Sequence, residues 1–277
     1  MNYLKNIELI TTGDGSHSLY VKALKESYHS YAGAYFEARH VFIREGLFVL
    51  FKQLARSNKN VTRPSLSDRF VVKEDNVYRS SFKEGEVING LAASENERPY
   101  PEILEIGWGT GLNAILSFEQ GLLYNCRMRY TALEPHPLPL FLVERLNYRK
   151  FLDARVKDYF LKLHECAWEV EYDLGVITND SKFVKHKVTL EKFVPEKNKY
   201  NLVYFDAFAI SKQPDVWTLA NFKKLALMMK PGGILVSYAS NRIFQNHLIA
   251  SGFAIEKIPG PAKGLQRKRE MVRAKRL

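Results

Sequence analysis

Three acidic residues stand where apolar runs end, and the first leads into a glycine turn. Glu105 lies near the end of the run 102–106 and is followed by Gly107-Trp108-Gly109-Thr110-Gly111. Glycines let the backbone turn sharply and let a ligand approach without an intervening side chain, and a helix starting there offers free amide donors. A dinucleotide fingerprint, G-x-G-x-x-G, requires glycine at position 112, where this chain has Leu112. The second acid, Glu134, ends the run 128–133, 23 residues beyond Gly111 (134 minus 111). A carboxylate at that place can accept both ribose hydroxyls of an adenosine. The third, Asp206, lies in the apolar stretch 201–208, where the strand core 202–205 ends. It suits a nitrogen nucleophile that must lose a proton. A primary alkylamine has a pKa of roughly 10, so near neutrality it is an ammonium ion that cannot attack an electrophile. A carboxylate can bind and orient it and take or relay its proton, an effect on the order of 10²–10⁴-fold.

The elements that must position these acids follow from the apolar rhythm. From about residue 101 short apolar runs alternate with amphipathic stretches, which predicts strand-helix units and a mostly parallel sheet. Strands are expected at 102–106, 128–133, 201–208, 233–239, 253–258 and 270–275, and helices at 112–120, 140–146, 217–229 and 242–251. The helix 217–229 is expected to stop at Pro231-Gly232-Gly233, and the last helix at Gly252. In an open parallel sheet the carboxyl ends of the strands converge on one crevice, so Glu105, Glu134 and Asp206 are all expected to line it. The first hundred residues differ in kind. A turn-rich segment, TTGDGSHSLYV, precedes a stretch at 28–55 with helical spacing, and 58–99 shows little periodicity. The expected organisation is an N-terminal extension, 1–99, packed on a catalytic domain, 100–277.

Bulk properties narrow the class. The 277 residues are 46% apolar, enough for a sizeable core. No run is long and uncharged enough to span a membrane, and the N-terminus lacks the features of a signal peptide, so a cytoplasmic protein is expected. The two cysteines, Cys126 and Cys166, have neither CxxC nor Cys/His spacing, so free thiols and no metal site are expected. Lys+Arg outnumber Asp+Glu by 41 to 30, a net charge of +11, with Lys263, Arg267, Lys268, Arg269, Arg273, Lys275 and Arg276 clustered at the end. Such a surface fits a polyanion and predicts salt-sensitive binding.

The spacing E-x-G-x-G-x-G resembles that of Rossmann-like methyltransferases. A wider set of motifs resembles the methyltransferase domain of the MnmC-type tRNA enzymes. It comprises DGSHSLY (14–20), ESYHS (26–30), Gly33-Ala34 with Glu37, HVFI (40–43), EIGWGTGLNA (105–114), LEPHPL (133–138), YFDAFAISKQPDVWT (204–218), PGGILVSYAS (231–240) and KREMVRA (268–274). The resemblance implies an α/β, Rossmann-like sheet. It also implies S-adenosylmethionine as cofactor, tRNA as partner, and methyl transfer to the exocyclic amine of a 5-aminomethyluridine at the wobble position. Carried over by position, Glu105, Gly107, Gly109, Gly111, Asn113 and Glu134 would hold the cofactor, Asp206 would hold the aminomethyl group, and Tyr28, Ser30 and Glu37 would border the site. Lys212, Lys268 and Arg269 would meet tRNA phosphates.

The chain departs from the family in several places. Trp108 replaces a usual phenylalanine, which is tolerable if its ring packs under the loop. Ser240-Asn241-Arg242 replaces a small residue, lysine and glycine, and Gly264-Leu265-Gln266 is additional. Where the family commonly has an aspartate for the adenine amino group, this chain offers Thr189 or Glu191. Its length leaves no room for the flavin-dependent oxidase to which such domains are often fused, so a stand-alone form is expected. Two alternatives remain open: a small-molecule methyl- or aminopropyltransferase, whose binding should barely respond to salt, and a catalytically silent RNA-binding relative that would bind no cofactor.

Overall fold

Runs rich in Val, Ile, Leu, Tyr and Phe suit a pleated surface, and in the computed structural model they form the strands of one eight-stranded sheet. The structure describes residues 6–57, 100–175, 180–261 and 270–277. The core strands are β4 (Glu102–Ile106), β5 (Arg129–Leu133), β7 (Lys182–His186), β8 (Tyr200–Phe205) and β9 (Met229–Ser237). They are parallel in the order β9-β8-β4-β5-β7. β10 (Phe253–Pro259) and β11 (Glu270–Arg276) extend one edge antiparallel, and β6 (Tyr172–Asp173) closes the other. β5 and β7 lie to one side of β4, β8 and β9 to the other, so strand order reverses beside β4, where open α/β sheets bind ligands.

Alternation along each strand fills both faces. Leu104, Ile106, Val203 and Phe205 join a cluster with Trp217, with Phe222 from α6 (Leu219–Met228) and with Phe244 from α7 (Arg242–Ala250). Ile103, Leu202 and Tyr204 face the opposite way, into a cluster shared with α3 (Leu112–Leu123) and an N-terminal helix. That helix runs through α1 (Ala34–Ala38), a π-helical stretch (Arg39–Leu47) and α2 (Phe48–Ser57). Its first turn is capped from a distance. β1 (Ile7–Thr11) and β2 (His17–Val21) form a hairpin, joined by β3 (Glu26–Ser27), and its turn supplies the acceptors. Thr12 Oγ1 accepts from Ala34 N–H (3.1 Å), Ser16 Oγ from Tyr35 N–H (3.1 Å) and Asp14 Oδ2 from Phe36 N–H (2.8 Å). The expected turn-rich segment is therefore this hairpin.

The π-helical stretch crosses β8 and β9 at Gly46. A Cβ there would stand 3.0 Å from Val236 Cγ2 and 3.1 Å from Tyr204 Cε1. Gly46→Val is expected to overpack this crossing by roughly 1–3 kcal/mol, a fall in melting temperature of about 2–10 °C by scanning calorimetry. An unchanged melting temperature would show that the contact is slack.

Several expected boundaries shift for local reasons. The helix expected at 217–229 is a 3₁₀ turn, Pro214–Trp217, followed by α6, because Thr218 adopts an extended backbone and caps α6 by accepting from Asn221 N–H (3.3 Å). Pro231-Gly232-Gly233 does not end that helix. β9 begins at Met229 and carries all three residues, with a register shift between the Tyr200–Met229 and Leu202–Ile234 pairs. The helix expected at 140–146 is the single turn α4 (Leu140–Val143). Asn241, in the departing Ser240-Asn241-Arg242 loop, caps α7 by accepting from Phe244 N–H (3.0 Å). Among the described residues no helix is long and apolar enough to cross a membrane. Segment 58–99, with Lys263, Gly264, Leu265, Gln266, Arg267, Lys268 and Arg269, lies outside the described residues.

Candidate active site

Beyond β4 the chain enters the glycine turn, with Gly107 at φ +83° and Gly109 at φ +51°. At both positions a side chain is excluded by neighbours as well as by backbone conformation. A Cβ on Gly107 would lie 2.4 Å from the backbone oxygen of Asp206, and one on Gly109 would lie 2.9 Å from the Tyr28 ring. The turn hangs from the next strand, since the N–H groups of Gly107 and Trp108 both donate to Leu133 O (3.1 and 3.2 Å). Trp108 is buried, and its ring stacks on His164 at 4.2 Å, so the exchange from phenylalanine is absorbed beneath the loop. The Lys185 ammonium reinforces this floor. It sits over the Trp108 and Trp168 rings (5.0 and 4.7 Å) and donates to Leu163 O (2.8 Å) and His164 O (2.5 Å), at the end of α5 (Tyr159–Glu165).

Glu134, directly after β5, closes the loop from above. Its Oε2 accepts from Gly109 N–H (2.9 Å) and its Oε1 from His136 N–H (2.8 Å). Burial pushes this carboxyl above its ordinary pKa although both hydrogen bonds pull it back. Each oxygen carries a single backbone donor and keeps a lone pair for a ligand hydroxyl.

Asp206 follows β8 on the other side of β4. Its Oδ2 accepts from Asn113 Nδ2 (2.8 Å). Burial, with the nearby Glu37 carboxylate, pushes its pKa up to about 8, and the Asn113 hydrogen bond opposes the rise.

These residues open on one cavity of about 940 Å³, near the upper end for small-molecule sites. Of the expected residues, Gly107, Gly109, Asn113, Glu134, Thr189 and Asp206 line it, as do Tyr28, Ser30, Glu37 and Lys212. Ser30 N–H donates to Glu37 Oε2 (2.7 Å), which ties the loop after β3 to α1. Thr189 stands three residues past the end of β7 rather than on it.

Two expected contacts stand behind the wall. Glu105 shares the sheet face of Ile103, is fully buried, and accepts from Asn113 Nδ2 (2.9 Å) on one oxygen and from Tyr130 OH (2.8 Å) on the other. The three acids therefore do not all line the crevice, because a strand's alternation turns Glu105 under α3 while Asp206 and Glu134 lie beyond their strand ends. Gly111 faces away as well, where a Cβ would meet His164 Nε2 at 2.8 Å.

Sequence reasoning assigned no role to Glu26 or Tyr238, which also line the cavity. Glu26 Oε1 accepts from Ala209 N–H (3.1 Å), and Tyr238 OH donates to Ala207 O (2.8 Å), so both brace the loop after Asp206. Glu26 belongs to the ESYHS motif, and only the fold reveals that it reaches across to residue 209. Among the described residues no group of His, Cys, Asp or Glu is arranged to hold a metal ion.

The donor set fits an adenosyl-amino-acid ligand. Gly107 and Gly109 present backbone without side chains to the cavity, and the buried Glu134 keeps free acceptor capacity beside them.

Comparison with known proteins agrees. Residues 147–276 match a family model described as S-adenosyl-L-methionine-dependent methyltransferase. The chain is 29% identical over 183 residues to the tRNA 5-methylaminomethyl-2-thiouridine biosynthesis bifunctional protein MnmC of Leptospira interrogans, covering 61% of this chain and 26% of that protein. With the MnmC of Pseudomonas fluorescens it shares 29% identity over 164 residues, 56% of this chain and 24% of the other. It thus spans about a quarter of the length of these relatives. The crystal structure of MNMC2 from Aquifex aeolicus has the same fold, with a TM-score of 0.63 at 22% identity, over 97% of this chain and 70% of that one. Residues 147–276 thus match an S-adenosyl-L-methionine-dependent methyltransferase family, the strand order and the glycine loop agree with that match, and the chain is similar to the MnmC proteins.

Proposed function

We propose that this domain methylates the exocyclic amine of 5-aminomethyl(-2-thio)uridine at the wobble position of tRNA. The observation that carries the reading is Asp206, a buried carboxyl on the cavity wall with one oxygen held by Asn113. S-adenosylmethionine supplies an electrophilic sulfonium methyl when bound. Gly107, Gly109, Glu134 and Thr189 would hold it, with the backbone of the glycine turn against the amino-acid part and Glu134 accepting the ribose hydroxyls.

Asp206 would bind the incoming ammonium, orient it and take its proton. Moving a proton from an alkylammonium of pKa about 10 to an ordinary aspartate crosses roughly six units, about 8 kcal/mol. With Asp206 raised to about 8 the gap is roughly two units, or about 3 kcal/mol. Burial thus makes this acid a usable base, at the expense of its ionisation in the empty cavity. Tyr28, Ser30 and Glu37 would border the acceptor. The net charge of +11 and Lys212 at the cavity support a polyanionic partner, as does the similarity to tRNA-modifying MnmC proteins. Lys268 and Arg269 are proposed as further phosphate contacts.

The test is nucleoside mass spectrometry of tRNA incubated with the protein and methyl-labelled cofactor. Label is expected in the methylaminomethyl wobble uridine, and transfer should weaken as salt rises. Label confined to another nucleoside, or appearing only on a small-molecule amine, would overturn the substrate while leaving the chemistry.

A further inference from the structure

We propose that Asn113 is a positioning residue for Asp206: its amide, bonded also to Glu105, fixes one carboxylate oxygen of the aspartate and leaves the other to the acceptor amine. The inference rests on Asp206 being the acceptor-side base, and it assigns to Asn113 a duty other than holding the cofactor.

The geometry is a chain of buried polar groups. Asn113 is 3% exposed, and its Nδ2 has two hydrogens. One goes to Glu105 Oε1 (2.9 Å) and the other to Asp206 Oδ2 (2.8 Å). Glu105 is itself fixed, fully buried, with its second oxygen accepting from Tyr130 OH (2.8 Å). With Asp206 ionised, a flipped amide would set its oxygen against that carboxylate and forfeit the bond to Glu105, so the orientation in which Asn113 donates is the one that serves both acids. Asn113 Oδ1 is buried and makes no hydrogen bond within the protein, as expected if the side chain is held by what its nitrogen binds.

The surrounding charges make this donor matter. Glu37 on α1, Glu105 on β4, Tyr130 on β5, Tyr148 in the 3₁₀ turn Tyr148–Lys150 and Tyr238 after β9 all interact electrostatically with Asp206, and each is an acid or a phenol. Against them the Asn113 amide favours the ionised form. Asn113 is also the second residue of α3, immediately after the glycine turn, so the element that seats the cofactor loop sets the angle of the acceptor acid.

The test combines titration with kinetics. In protein carrying ¹³C-carboxyl aspartate, the Asp206 resonance, assigned by its loss in Asp206→Asn, is followed against pH in wild type and Asn113→Ala. The proposal expects the Asp206 midpoint to rise by about one unit or more in the variant. With tRNA substrate, kcat should fall roughly 10- to 100-fold and its pH limb should move upward with the midpoint, while the dissociation constant for S-adenosylmethionine stays within about threefold. An unmoved Asp206 midpoint, or a large loss of cofactor affinity with kcat preserved at saturation, would overturn the proposal. Asn113→Ser, whose short hydroxyl cannot span both carboxyls, is read in the same way should the alanine variant not fold. The titration needs no substrate, so a failure to methylate any tRNA would refute the substrate assignment and leave this result standing.

Discussion

Asp206→Ala is expected to lower kcat for methyl transfer by roughly 10²–10⁴-fold while the cofactor's dissociation constant changes by no more than about threefold. The split follows from the sheet. Asp206 stands after β8 and Glu134 after β5, on opposite sides of β4, and the backbone contacts of the loop are made to Glu134 and Leu133 rather than to the aspartate side chain. Isothermal calorimetry and single-turnover kinetics would separate the two effects, and a parallel loss of binding would place Asp206 on the cofactor instead. The isosteric Asp206→Asn adds a test by pH. Burial raises this group from 3.8 to about 8 in the folded protein. Between those values the folded chain keeps a proton that the unfolded chain has released, so stability falls as pH rises through that window. Asp206→Asn is therefore expected to melt above wild type at pH 8, with the gap closing toward pH 4. A gap that widened on acidification would mean that the carboxyl is normally ionised in the fold.

Gly107→Ala is expected to raise the cofactor dissociation constant by roughly 100-fold, and more than Gly109→Ala does. A non-glycine residue at φ +83° carries backbone strain of about 1–3 kcal/mol, which the free variant relieves by moving the turn and which binding must restore. Roughly 2.7 kcal/mol lost in that way corresponds to the expected fall in affinity. The new methyl would also press on backbone that cannot rotate away, namely the Asp206 carbonyl oxygen at 2.4 Å and its carbon at 3.0 Å. At Gly109 the obstacle is the Tyr28 ring, which can shift by a few tenths of an ångström. Calorimetric affinity measured with circular dichroism would show whether binding is lost in a folded protein. Equal affinity in Gly107→Ala and wild type would remove the turn from the cofactor site.

Much of this site was legible because its signals are local. Glycines between a strand and a helix, and acids just past strand ends, are read from adjacent residues, which is why Gly107, Gly109, Glu134 and Asp206 were found. Glu105 misled because it sits one residue inside β4, and a single step of alternation decides between the crevice and the space beneath α3. Pro231-Gly232-Gly233 reads as a stop signal, and only its pairing with Tyr200 and Leu202, some thirty residues earlier, makes it a bulge. The cap that Thr12, Asp14 and Ser16 place on the N-terminal helix acts through roughly twenty residues of chain. Nothing within a helical window announces it.

The Lys185 layer under Trp108 has a thermodynamic consequence. Because the indole is clamped from below by His164, Trp168 and the end of α5, the loop loses its conformational freedom when the chain folds and not when a ligand arrives. Disturbances of that layer should therefore register first in the temperature at which the protein melts, and only afterwards in how tightly it holds its ligand.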